Sequence, residues 1–227
     1  FEINNSGSWD SKFLPKSVVN KSNDAHHIYI TQGLYKLSEI SKDNKYFNLA
    51  ERVVAYTLKY KNDYDQFTNS DFVSSTESLT HNLGYVLEAL VDSYYYNKEP
   101  VRLKASEMFC ANLMKLISDN GFLPGKIGHN WESKKNFSCL TGSAQIAISF
   151  IKLHKINNDP KLLNSALRIL NYLKSKQNNY DENFGGGIGA MWGSWPINTG
   201  YQENQSISWA AKYFIDLCYI IIKNKLN

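Results

Sequence analysis

The stretch Ser138 to Gln177, SCLTGSAQIAISFIKLHKINNDPKLLNSALRILNYLKSKQ, decides the fold. It divides into two helices of different character. In the first half Ala144, Ala147, Ile148 and Ile151 mark one apolar face and Ile146, Phe150 and Leu153 another. A helix apolar on two sides is buried on two sides. In the second half Leu162, Ala166, Ile169, Leu170 and Leu173 form one stripe, with Lys161, Asn164, Ser165 and Arg168 opposite, the pattern of a surface helix. Between them Asp159-Pro160 offers an N-cap oxygen and a first-turn proline, so the connection is short. The unit is a hairpin of one inner and one outer helix.

The rest of the chain reads as copies of this unit. KLSEISKDNKYFNLA (Lys36 to Ala50) matches KLHKINNDPKLLNSA (Lys152 to Ala166) without a gap at lysine, leucine, isoleucine, aspartate and alanine positions, an internal repeat. Residues 1–22, with Trp9 and the Phe13-Leu14-Pro15 step, read as loop. Asn23 or Asp24 is expected to cap a helix running to about Ile40, and Asp43 or Asn44 to open the next, with Tyr46, Ala50, Val53, Val54 and Thr57 on its stripe. Ser74-x-x-Glu77 reads as a capping box before an inner helix carrying Leu83, Val86, Leu87, Leu90 and Val91. Asn97 to Glu99 make a turn, and Val101, Ala105, Met108 and Phe109 give the outer stripe. A last inner helix is expected from about Gln205 to Lys223. The sum is about three and a half hairpins with a period of about 55–60 residues, in one domain over residues 1–227. Inner-to-outer turns are short, whereas the outer-to-inner loops, roughly 61–74, 118–137 and 178–203, are long. All the long loops then lie at one end of the array with the starts of the inner helices, which makes that end the functional face.

Composition excludes several classes. With 43% apolar and 20% charged residues, 227 residues can bury a sizeable core. The net charge of +4 comes from dispersed lysines, and the Lys134-Lys135 pair is far short of a nucleic-acid arm, so nucleic acid is not an expected partner. Cys110, Cys139 and Cys218 are odd in number and lack metal-type spacing. No apolar run reaches the roughly 18–20 residues of a membrane span, and nothing resembles a signal peptide. The cytoplasm is the expected location, although the chain starts at Phe1 without a methionine.

The alternation of inner and outer helices, together with Cys139-Leu140-Thr141-Gly142-Ser143-Ala144-Gln145 at the head of an inner helix, resembles the α/α-toroid superfamily. That group holds six-hairpin glycosidases and polysaccharide lyases, lanthionine-cyclase-like proteins, and terpene cyclase or prenyltransferase toroids. The resemblance extends to toroids found with bacterial surface-polysaccharide genes. It implies an all-α toroid or open arc, a partial (α/α)6 barrel, that acts on or binds a bacterial polysaccharide or oligosaccharide. Hydrolase, lyase and epimerase chemistry all stay open, as does a non-catalytic glycan- or protein-binding scaffold. A closed six-hairpin ring needs on the order of 330 residues at this period. The chain is therefore expected to be a fragment of a longer toroid or an arc closed by a second copy. A lanthionine-cyclase-like zinc site would need two cysteines and a histidine at inner-helix starts, where only Cys139 stands. The aspartate-rich strings of terpene cyclases are absent too. Neither metal nor cofactor is expected.

Candidate site residues cluster at the inner-helix starts and in the long loops. Aligning on Ala50, Ala105 and Ala166 makes His26, His81 and Gly142 equivalent; His81 is the candidate base or acid, with His26, Asn82 and Gln145 as substrate contacts. The loops contribute His129, Trp131, Glu132, Asp181, Glu182, Trp192, Trp195, Tyr201 and Glu203, and the last helix Trp209. Trp131, Trp192, Trp195 and Trp209 suit a sugar, whose C–H face stacks on rings while its hydroxyls need hydrogen bonds. Glu132 and Glu203 are candidate paired carboxylates of a glycosidase. His81 or Tyr201 could instead remove the proton α to a uronate carboxylate, an anion favoured by converging helix N-termini. The competing structural readings are helix-end packing for the histidines and mini-core anchoring for the loop aromatics. Gly185-Gly186-Gly187 follows no strand and matches no P-loop, which argues against a nucleotide.

Overall fold

The computed structural model describes residues 25–67, 70, 76–178 and 187–226. Trp9, the Phe13-Leu14-Pro15 step, the Asn23 or Asp24 cap, Ser74, Asp181, Glu182, Gly185 and Gly186 lie outside these residues. A 3-10 segment, Ala25–Tyr29, leads into α1 (Ile30–Ser41). Then follow α2 (Asn44–Leu58), α3 (Thr80–Tyr96), α4 (Pro100–Leu116), α5 (Leu140–Asn157), α6 (Pro160–Lys174) and α7 (Ser208–Lys223). Helices α1, α3, α5 and α7 pack side by side as the inner row, and α2, α4 and α6 each lie on the inner helix that precedes them.

In α5 and α6 burial follows the expected division except at Ser165, expected on the polar face but 4% exposed. Thirteen of the eighteen residues of α5 are buried, on every side of the helix, against six of fifteen in α6. The two copies of the repeat end and restart alike. Lys42 and Asn158 close α1 and α5 in the left-handed conformation, both with φ 58°. Asp43 and Asp159 then cap the next helices by accepting from the backbone N–H of Lys45 and Lys161, each at 2.9 Å.

Short strands were not foreseen. Glu77–Leu79 (β1) pairs antiparallel with Lys126–Gly128 (β2), and Ser138–Cys139 (β3) with Ser194–Trp195 (β4). Glu77 is thus a strand residue rather than the third residue of a helix, which corrects the capping-box expectation. The last helix likewise starts at Ser208, because Gln205 and Ser206 are held by backbone bonds and a bridge to Gly193 and Trp192. The stitching recurs: Thr80 N–H donates to Gly125 O as Leu140 N–H does to Gly193 O, and Gly125 N–H to Phe137 O as Gly193 N–H does to Gln205 O. These matched bonds make Thr80, Leu140 and Ser208 equivalent starts. His81 therefore corresponds to Thr141 and not to Gly142. Counted back from the shared caps, His26 is the counterpart of Gly142, so the two histidines are not equivalent.

At the short-turn end a buried ion pair ties the first hairpin to the second. Arg102 of α4, 3% exposed, donates to both Glu51 oxygens at 2.9 and 2.6 Å and to the Tyr35 hydroxyl at 3.1 Å. Tyr35 and Asn97 also donate to Glu51. Burial raises the Glu51 pKa, but the bonds from Arg102, Tyr35 and Asn97 outweigh it and hold the carboxyl below its usual value. Arg102→Met keeps the bulk and leaves that carboxylate unpaired. A loss of about 3 kcal/mol in urea unfolding is expected, with Arg102→Lys recovering only part because it lacks the planar fork. An unchanged midpoint in Arg102→Met would show that the pair does not join the hairpins.

Candidate functional site

The site is built where α3 and α5 begin. A Cβ on Gly142 would stand 2.4 Å from the His81 backbone nitrogen and 2.5 Å from the Thr80 carbonyl carbon, so only glycine lets the two helix starts touch. Gly84 similarly leaves room for Gln145, whose Cβ lies 2.8 Å from where a side chain would begin. Gln145 thereby reaches His81, with Oε1 2.5 Å from Nδ1. An amide oxygen only accepts, so Nδ1 carries the proton and Nε2 keeps its lone pair.

His81 is 4% exposed and surrounded by rings: Tyr85 at 4.5 Å between centroids, Tyr201 at 5.8 Å and Tyr213 at 6.2 Å. Burial pulls its pKa down to about 4, opposed by the Gln145 bond, so the imidazole is neutral at ordinary pH. Below it Tyr213 donates to the Tyr29 hydroxyl at 2.8 Å, and Tyr29 packs on Tyr85 at 4.4 Å. Tyr85 and Tyr213 are equivalent positions of α3 and α7, five residues past each start, and Gln145 is that position in α5. With Tyr29, the last residue of the 3-10 segment before α1, they form a layer. Above it Trp209 Nε1 donates to the Tyr201 hydroxyl at 3.1 Å, and Trp209 is 39% exposed. Burial raises the pKa of Tyr201 and Tyr213 and pushes Tyr85 up to about 12, so these phenols stay protonated. The cluster is polar, ring-lined and uncharged at neutral pH.

Of the residues singled out by sequence, His81, Gln145, Tyr201 and Trp209 come together here. Asn82, next in sequence to His81, is fully buried, and neither of its amide atoms has a partner among the described residues; Gln145 Nε2 and Thr141 Oγ1 are in the same state. Such atoms each cost about 1–3 kcal/mol, which marks the inner-helix starts as places with unused hydrogen-bonding capacity. His26 is half-buried, its ring edge-on to His27 at 4.6 Å. Glu132 and Glu203 are exposed on separate loops. Trp131 is an anchor: its ring meets Phe109 of α4 at 5.0 Å, Nε1 donates to Tyr64 O, and its φ of 64° fixes a tight turn. Trp192 is 4% exposed and part of the core. Trp195 in β4 is half-buried under Lys176, whose Nζ stands 4.9 Å from the ring. Tyr29, Tyr85 and Tyr213 escaped the sequence reading. The signal that finds them is the repeat register itself, a shared place in successive inner helices.

Among the described residues no helix is long and apolar enough to cross a membrane, and no three His, Cys, Asp or Glu side chains converge as metal ligands would.

No family model matches the chain, and no curated protein matches it by sequence. Solved structures do match in fold. The unsaturated glucuronyl hydrolase of Bacillus sp. GL1, responsible for the degradation of glycosaminoglycan, superposes with a TM-score of 0.73 at 11% identity, covering 97% of this chain and 64% of its own. An inactive variant of an α-1,6-mannanase of Salegentibacter sp. HEL1_6, in complex with α-1,6-mannotriose, gives 0.72 at 13% identity, covering 99% and 61%. A polysaccharide lyase, BACCELL_00875, gives 0.63 at 13%, covering 89% and 63%. The chain spans about three fifths of the length of these proteins. Its fold is the all-α arc of an α/α toroid.

The buried neutral histidine has a measurable consequence. Below its unfolded pKa of about 6.5 the unfolded chain takes up a proton that folded His81 refuses until about pH 4. Stability should therefore fall as pH drops through that window, by about 3 kcal/mol in total. His81→Gln should remove this share of the slope in denaturant titrations at successive pH values. A His81 resonance, identified by its loss in His81→Gln, titrating near 6.5 in the NMR of the folded chain would contradict the burial.

Proposed function

We propose that the chain recognises and processes a carbohydrate at the long-loop mouth, with His81 as the proton-transferring group. The observation that carries this reading is the His81–Gln145 pair beneath the Trp209–Tyr201 pair. An exposed indole beside a phenol offers a stacking face for a sugar ring, and the hydroxyls and amides beneath it offer donors and acceptors for its hydroxyls. His81 Nε2, with Nδ1–H fixed on Gln145, is a base of set tautomer. Its neutrality through the physiological range keeps that lone pair free, and a bound anion beside it would raise its low proton affinity toward the working pH. The fold's company supports the substrate class: the matched proteins are named as a glucuronyl hydrolase, a mannanase and a polysaccharide lyase. The exposed placement of Glu132 and Glu203 favours proton abstraction by His81 over a paired-carboxylate hydrolysis, in which one carboxyl needs burial to stay protonated.

One observation favours a second reading, a glycan-binding scaffold without turnover. His81 is so enclosed by Tyr85, Tyr201 and Tyr213 that its ring also serves as packing.

The same reading extends to closure of the ring. Ile215 and Tyr219 of α7 are 63% and 61% exposed. Their equivalents in α5, Ala147 and Ile151, are fully buried, and Leu87 and Val91 in α3 are buried too. In the complete array an inner helix has its own outer helix and a following hairpin; α7 has neither among the described residues. Further hairpins, or a second copy, would cover that stripe.

Trp209→Ala is expected to weaken oligosaccharide binding at least tenfold with helical content unchanged in circular dichroism. Trp192→Ala should instead destabilise by about 3–5 kcal/mol, as a core truncation does. His81→Gln separates the two readings of the mouth: turnover lost with binding retained supports proton transfer. Binding without turnover in the unaltered chain, across mannan and uronate oligosaccharides, leaves only the scaffold.

A further inference from the structure

The inner helices converge on a second feature at their other ends. Beyond the tyrosine layer α3 presents Glu88 and Asp92, and α5 presents Lys152 at the position equivalent to Asp92. Lys152 Nζ lies 2.8 Å from Asp92 and 3.0 Å from Glu88 Oε1. Two carboxylates thus share one ammonium. Glu88 is 7% exposed, and its Oε2 has no hydrogen-bond partner among the described residues. Burial raises the pKa of both acids, with Lys152 opposing it.

Beside this triad lies a cavity of about 600 Å3, bounded by Asp92, Lys152 and the equivalent α7 residue, Ile220. Its volume falls within the roughly 300–1,000 Å3 of small-molecule sites. Tyr94 and Tyr95 give it aromatic walls, and Val91 and Ile156 aliphatic ones. Lys98 and Lys155 also line it, and neither has a carboxylate partner among the described residues: Lys98 Nζ stands 4.9 Å from the Tyr94 and Tyr95 rings, and Lys155 donates to Asn224 Oδ1 at 2.6 Å. Burial and the nearby Lys223 hold Lys155 below the usual lysine pKa, so positive charge is crowded there. Lysines at helix C-termini complement the helix dipole, which accounts for their place in the chain. It does not account for their meeting around a ring-walled cavity that Asp92 and Lys152 also line.

We propose that this lower cavity binds an acidic sugar, its phosphate, sulfate or carboxylate between Lys98 and Lys155 and its ring against Tyr94 or Tyr95. The ring's C–H face stacks on a phenol, and its hydroxyls donate toward the Asp92 carboxylate, which lines the cavity. The site is separate from the mouth and does not depend on any reaction there.

Calorimetric titration of the purified chain at low salt, with glucose 6-phosphate, glucuronate, inorganic phosphate and glucose, tests it. At least one acidic sugar should bind, at least tenfold more tightly than glucose or phosphate alone, and the tighter of the two identifies the anion. Lys98→Gln and Lys155→Gln should each weaken binding about tenfold, and rising salt should weaken it further. Trp209→Ala should leave it unchanged, so a failure at the mouth is read independently. Equal affinity for glucose, indifference to both lysine replacements, dependence on Trp209, or no binding of either acidic sugar at millimolar concentration would each overturn the assignment.

Discussion

Everything along the inner row depends on how closely α3 and α5 approach at their starts. Gly142 rests on the backbone of Thr80 and His81, and that contact sets the height of one helix against the other. The His81–Gln145 and Glu88–Lys152 pairs are both 64 residues apart in sequence. One register therefore serves the mouth and the lower cavity alike. A shift of α5 by one helical turn, about 5.4 Å, would break both pairs together and strand an ammonium and a carboxylate inside the array.

The interior is divided by chemistry. Above the tyrosine layer the groups are neutral: an imidazole stripped of its proton by burial, phenols that keep theirs, and amides. Below it the groups are ionic, with Glu88, Asp92 and Lys152 in contact and Lys155 nearby. Burial produces both conditions. It penalises a charge with no partner, so His81 stays neutral, while Lys152 stays charged because two carboxylates face it. Within the layer itself, the bond between Tyr213 and Tyr29 joins the last inner helix to the 3-10 segment that leads into the first.

The fold was legible because the repeat writes the same physics more than once. Two-sided apolarity in α5, the single stripe of α6, and the aspartate caps at Asp43 and Asp159 all follow from local spacing. The site was legible only in part. His81 and Gln145 could be named, but their pairing depends on a glycine contact between helices 60 residues apart, which no local pattern encodes. Aligning on outer-helix alanines misplaced His81 by one position, since 25 residues separate Thr80 from Ala105 and 26 separate Leu140 from Ala166. Trp131 and Trp192 looked like ligand platforms because sequence carries no measure of depth. The strands escaped because each of their pairings spans more than 45 residues and is only two or three residues long.

Those short strands divide each long loop into parts with different freedom. Residues 126–128 and 194–195, and the bonds from Gly125 and Gly193, pin the loops to the starts of α3 and α5. Between the pinned points Trp131 and Tyr201 hold their loops against Phe109 and His81, whereas Glu132, Lys134, Asn136, Asn198 and Glu203 face solvent. Replacement at those exposed positions can reshape the rim while the four inner helices keep their alignment. A scaffold stitched in this way can change what it recognises without having to refold.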